Sequence, residues 1–234
     1  MNTSCVISIN LHSNLLITGG TGQGKTTILS HILKDLISNN TPNELSLFLV
    51  STNPVSLLPF QKLPHLRQAI INDPKAFPAL LDSLIEEAKA RRKLLKESKI
   101  NSASEYNEKY PGKMPSILVA IDEIADIIVA NDNIPSRLAQ FFEDYQSDTD
   151  IHFIIGITTS GNYSKWLAPE LLPYLSVNKI LLAPTNPWAY KIFPEINASE
   201  MDFSFIDWNR RRAYYYDESA KEKLTSFEFN DFEE

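Results

Sequence analysis

Five short apolar runs punctuate the chain, at Leu15 to Ile17, Leu45 to Val50, Ile117 to Ile121, Phe153 to Ile157 and Lys179 to Leu182. Runs of this length with little alternation read as strands buried on both faces. Stretches of helical period lie between several of them. From Lys25 to Ser38 the residues Ile28, Leu29, Ile32, Leu33, Leu36 and Ile37 form one apolar stripe, and Asn39-Asn40-Thr41-Pro42 ends the predicted helix. A longer helix is predicted from Pro74 to Lys99, with Leu80, Leu81, Leu84, Ile85, Ala88, Leu94 and Leu95 recurring at helical spacing. Glu86, Glu87, Lys89, Arg91, Arg92 and Lys93 read as its solvated charged face. Ile100 to Met114 is polar and reads as a short helix followed by a loop back to the sheet. Near the end, Tyr214-Tyr215-Tyr216 after Arg210-Arg211-Arg212 reads as a terminal edge strand with solvated arginines at its flank. Strands alternating with helices predict an α/β fold, a mostly parallel sheet with helices on both faces.

The first strand runs into Gly19-Gly20-Thr21-Gly22-Gln23-Gly24-Lys25-Thr26, which fits G-x-x-x-x-G-K-[ST] in the order strand, glycine loop, helix. Glycines let the backbone turn successive N–H groups toward an anion, and the helix that follows points its positive end at the same place. Lys25 adds a full charge for the β- and γ-phosphates, and Thr26 offers a hydroxyl to Mg²⁺. The candidate nucleotide-binding residues are therefore Gly19, Gly20, Thr21, Gly22, Gln23, Gly24, Lys25, Thr26 and Thr27, and the implied cofactors are ATP and Mg²⁺.

A nucleoside triphosphatase of this kind needs carboxylates at the end of a second strand. Ile117-Leu118-Val119-Ala120-Ile121-Asp122-Glu123 supplies them. Asp122 is placed to hold the Mg²⁺ shell and Glu123 to polarise an attacking water. A polar group able to sense the γ-phosphate is expected on a strand lying between these two. Ile154 to Ser160 offers Thr158 or Thr159 there, with Thr158 the first choice. His152 reads as a core histidine.

Composition narrows the partners. The 234 residues suit one α/β domain, and 43% hydrophobic residues suffice for its core. With 22 Lys+Arg against 29 Asp+Glu the formal charge is −7, the wrong sign for coating nucleic acid through the overall field, so any such contact is local. A lone Cys5 rules out a disulfide within the chain. No stretch approaches the roughly 18 apolar residues of a membrane span, and the first residues lack the pattern of a secretory signal. The expected compartment is the cytoplasm. Residues 1–226 read as one domain and the acidic stretch 227–234 as a frayed tail.

Further segments occur in a telling order: Leu63-Pro64-His65-Leu66, Glu87-Ala88-Lys89-Ala90-Arg91-Arg92, Glu105-Tyr106-Asn107-Glu108-Lys109, Ile121-Asp122-Glu123-Ile124-Ala125-Asp126, Arg137-Leu138-Ala139-Gln140 and Ile151-His152-Phe153. Together with the glycine loop they resemble the FtsK/SpoIIIE-type motor ATPases over roughly residues 10 to 185. The resemblance implies a RecA-like motor core, assembly into a ring that is typically a hexamer, and ATP-driven movement of a polymer, double-stranded DNA foremost, through its centre. It also implies a bare core whose membrane anchor or targeting module, if any, sits on a partner chain.

Several family positions differ. Ser51-Thr52-Asn53-Pro54 stands where the family carries D-P-K, and Gly156-Ile157-Thr158-Thr159-Ser160 where it carries A-T-Q-R-P. Phe141 to Asp150 replaces a basic K-A-R-A-A-G, and Ala183 to Ala189 replaces S-K-x-D-S-R-T. Positive charge is lost where a neighbouring subunit supplies an arginine worth about 10³ to 10⁵ in rate, so slow turnover is expected unless Arg137 or the Arg210-Arg212 cluster substitutes. The same cluster, beside its tyrosines, is also a candidate for DNA contact. Two other readings stay open: a type VII-like protein-export motor, and a nucleotide-binding module in which ATP controls oligomerisation with little hydrolysis.

Overall fold

In the computed structural model the five apolar runs become the parallel strands of one seven-stranded sheet, ordered β2-β3-β4-β1-β5-β6-β7. The described residues are 13–159, 169–183, 193, 196, 201–203 and 210–230. The parallel strands are β1 (Leu15–Gly19), β2 (Leu45–Val50), β3 (Ser116–Ile121), β4 (Ile151–Thr158) and β5 (Asn178–Leu181). The antiparallel pair β6 (Arg210–Asp217) and β7 (Leu224–Asn230) closes one edge of the sheet. The register sets Gly19 beside Thr158 and Ile121 beside Ile155, so β4 lies between the glycine loop and the acidic strand end.

Side chains of successive strand residues point to opposite faces, and each face buries its own set of helices. Leu15, Ile17, Leu47, Leu118 and Ile154 pack with Ile28, Leu29, Ile32 and Leu33 of helix α1 (Lys25–Asn39). Leu16, Val119, Phe153 and Ile155 pack on the other face. Their partners are helices α2 (Phe77–Ser98), α4 (Ile124–Ala130) and α5 (Ile134–Tyr145). The short helix α3 (Ala103–Lys109) fills the polar stretch before β3. Among the described residues no helix is long and apolar enough to cross a membrane.

Two features depart from the sequence reading. Arg91 does not join a solvated face: only 3% exposed, it donates to the Thr149 carbonyl at 2.8 Å, the Pro115 carbonyl at 2.6 Å and the Glu87 carboxylate at 2.9 Å. Its neighbour Arg92 holds both carboxylate oxygens of Asp148, at 2.7 and 3.0 Å. This pair of arginines ties α2 to the segments that lead into β3 and β4, which is a structural task. The second feature concerns Phe227 to Asn230, read as the start of a tail, which belong to β7, while residues 231–234 lie outside the described residues. His152 is 8% exposed and its Nε2 meets Asp150 Oδ1 at 2.8 Å, consistent with a core position.

Truncating a buried arginine leaves two carbonyls without donors. Arg91→Ala is therefore expected to lower stability by about 2–4 kcal/mol, read as a fall in the urea midpoint. Lys89→Ala, which removes only an exposed pair with Glu86, is expected to leave that midpoint where it was.

Candidate functional site

The glycine loop begins where β1 ends and is anchored to its neighbours by backbone bonds. Gly20 N donates to the Ala183 carbonyl at 2.7 Å and Thr159 N to the Gly19 carbonyl at 2.9 Å. Gly22 and Gly24 take left-handed φ values of 72° and 93°, which residues with a Cβ rarely adopt. Gly24 caps α1, and Ile28 N donates to the Gly24 carbonyl at 2.9 Å as its first helical bond. Thr21 is exposed, Gln23 and Thr27 are partly buried, and Gln23 N donates to the Gly20 carbonyl at 3.3 Å.

Lys25 Nζ reaches back to the carbonyls of Gly19 and Gly20 at 3.4 and 3.3 Å. Burial pushes its ammonium below the usual lysine range, while Glu123 and Asp122 pull the other way. Thr26 Oγ1 donates to Asp122 Oδ1 at 2.7 Å, and Ser51 Oγ donates to Asp122 Oδ2 at 3.0 Å. The candidate cation position is thus bordered by Thr26, Asp122 and Ser51, oxygen donors only, which is the chemistry Mg²⁺ takes.

Glu123 caps α4, its Oε1 accepting from Ala125 N at 3.3 Å. Its other oxygen accepts from Thr158 N at 3.0 Å and from the Thr158 hydroxyl. Burial pushes the Glu123 carboxyl up from its ordinary value, opposed by the Thr158 hydroxyl, the Lys25 charge and the amides of Thr158 and Ala125. Thr159 instead is fully buried and uses its backbone on Gly19, so Thr158 is the threonine whose side chain faces the carboxylate.

The sequence reading missed Ser51 and Gly156. Ser51 follows the last residue of β2, beside the acidic strand end, and that placement was the available signal. Gly156 has no room for a side chain, since a Cβ there would stand 2.0 Å from the Asp122 carbonyl oxygen. A lone glycine inside an otherwise apolar strand marks such close backbone approach.

The arginine candidates separate. Arg137 on α5 pairs with Asp82 on α2 within the chain. Arg212 pairs with Asp202 at 2.8 Å and with Glu228 at 3.6 Å. Arg211 donates to the carbonyl of Gly22, in the glycine loop itself. Ser160 and residues 184–189, where two of the family departures fall, lie outside the described residues, as does the Arg210 side chain.

A family model described as FtsK/SpoIIIE matches residues 1–159, a span that takes in the glycine loop, Asp122, Glu123 and Thr158. The DNA translocase SftA of Bacillus subtilis is 30% identical over 156 residues, covering 64% of this chain and 16% of that protein. The DNA translocase FtsK of Helicobacter pylori is 33% identical over 120 residues, covering 50% of this chain and 14% of that protein. The chain thus spans less than a fifth of the length of these relatives. Among solved structures, EssC (ATPases 2 and 3) from Geobacillus thermodenitrificans superposes with a TM-score of 0.77 at 22% identity, covering 95% of this chain and 40% of that one. The pCW3 conjugation coupling protein TcpA, solved as a monomer with ATPγS, gives 0.72 at 21% identity, covering 96% and 62%. Both share the fold, that of P-loop ATPase domains.

A carboxyl whose folded-state pKa is raised binds its proton more tightly in the folded than in the unfolded chain. Its charged form therefore costs stability above the folded pKa, and the cost vanishes below the unfolded one. Glu123→Gln is expected to raise the melting temperature at neutral pH, with the gain shrinking as pH falls into the ordinary carboxylate range. A variant that melts below the parent at neutral pH contradicts this.

Proposed function

Because the chain belongs to the FtsK/SpoIIIE family, we propose that it is an ATP-hydrolysing motor domain that moves on double-stranded DNA as a cytoplasmic ring of identical subunits, typically a hexamer. The observation that carries the reading is the convergence of Lys25, Thr26, Asp122, Glu123 and Thr158 at the carboxyl ends of three adjacent parallel strands. Homologous DNA translocases support DNA as the polymer. The net charge of −7 requires that the contact be local.

The geometry supports the following division of labour. The N–H groups of Gly24 to Thr27 at the start of α1 bind the phosphate chain together with the helix dipole, whereas those of Gly20 and Gln23 donate to the carbonyls of Ala183 and Gly20. Lys25 gives up its contacts with the two glycine carbonyls for the β- and γ-phosphate oxygens, an exchange of neutral acceptors for anionic ones. Thr26 and Asp122 would hold Mg²⁺, which supplies positive charge against the phosphates, and Ser51 keeps the Asp122 carboxylate in place.

Glu123 is the general base. It accepts a proton from the attacking water as the oxygen of that water bonds to the γ-phosphorus and the bond to ADP breaks. Thr158 holds the carboxylate and, in this reading, is the group at the strand end that responds to the γ-phosphate. Burial assists the base, since a carboxylate pushed above its usual range is a stronger acceptor at neutral pH.

Steady-state hydrolysis with and without duplex DNA tests the reading. ATPase activity is expected to rise on adding DNA, and Glu123→Gln is expected to lose about 10²–10⁴ of the rate while still binding ATP. Hydrolysis indifferent to DNA counts against the translocase, and an unimpaired Glu123→Gln removes Glu123 as the base.

A further inference from the structure

Arg211 lies at the nucleotide end of the sheet because of how β6 runs. Tyr214 pairs with Leu181 at the end of β5, and Leu181 pairs with Thr18 near the end of β1. Since β6 is antiparallel to β5, the residues before Tyr214 project past the carboxyl ends of the parallel strands, toward the glycine loop. Three residues of extended chain cover about 10 Å. Alternation then fixes the face: Ala213 and Tyr215 pack in the core on the α1 side of the sheet, and Arg211 shares their side. Arg212 takes the opposite side, among the carboxylates of Asp202 and Glu228.

One acceptor that Arg211 meets is the carbonyl of Gly22. That residue has φ 72° and open space where a Cβ would stand, so its glycine answers to a backbone conformation and not to crowding. The Gly22 carbonyl and the Gln23 N–H belong to one peptide. A guanidinium on the carbonyl side fixes that peptide with its oxygen turned to the cation, while the Gln23 N–H on its other side donates across the turn to the Gly20 carbonyl at 3.3 Å. Resting on the nucleotide reading above, we propose that Arg211 is a positioning residue for the phosphate-binding loop, supplying in cis, through the Gly22–Gln23 peptide, positive charge that favours a bound triphosphate. The final hairpin of the sheet, which lies beyond the region matched by the family model, is thereby part of the nucleotide site.

Equilibrium titration of ATP with Mg²⁺ into the parent, Arg211→Ala, Arg211→Gln and Arg211→Lys tests this, each variant checked for folding by circular dichroism. Arg211→Ala is expected to weaken ATP binding about tenfold, through loss of one positive charge near the phosphates and of the hold on the Gly22 peptide. Arg211→Lys is expected to recover part of the loss, and the affinities of the Ala and Gln variants are expected to fall less steeply with salt than that of the parent. Ala and Gln variants that bind ATP within twofold of the parent at every salt concentration overturn the proposal. Should Arg211→Ala fail to fold, the Gln and Lys variants decide by the same criteria. A parent that binds no ATP overturns the nucleotide reading itself, a distinguishable outcome.

Discussion

The site depends on one close backbone approach, that of β4 to the end of β3. At Gly156 the chain passes so near the Asp122 carbonyl that an added Cβ would stand 2.0 Å from its oxygen. With β4 held there, between β1 and β3, Asp122 comes within 2.7 Å of the Thr26 hydroxyl and Glu123 meets the end of β4 at Thr158. A side chain at position 156 would have to push the acidic strand end away from the glycine loop. The cis half of the site is thus set by strand order and a missing Cβ before any charged group contributes.

Charge then works against burial throughout the site. Both Lys25 and Glu123 are pushed toward their neutral forms by loss of solvent, although each lies near a group of opposite sign. Such an arrangement is costly in the absence of ligand and is common where function takes precedence over stability. The buried Arg91 shows the contrary case: each of its three guanidinium nitrogens has an acceptor, and it serves the packing of α2 against the strand leads.

Much of this was legible in the chain itself. The five parallel strands followed from short apolar runs, the glycine loop from its spacing, because local backbone requirements fix its glycines, and Asp122 and Glu123 from their place at the end of an apolar strand. Arg91 was misread by type and not by position: Leu84, Ala88, Arg91 and Leu95 are all buried at one helical spacing, so the period carried the signal that charge concealed. Phe227 and Phe229 were lost in the same way, their alternation with Glu228 hidden by an acidic composition. Ser51 and Arg211 acquire their places only through strand pairing at long range, which no local pattern reports, whereas Gly156 carried a local mark, a lone glycine inside an apolar strand.

Single-turnover hydrolysis, with protein in excess over ATP and no DNA, tests the central claim most directly, because it reads the chemical step apart from product release and from any DNA. The account predicts release of phosphate close to one equivalent per bound ATP in the parent and its near absence in Glu123→Gln. Tight ATP binding without phosphate release by the parent would contradict it.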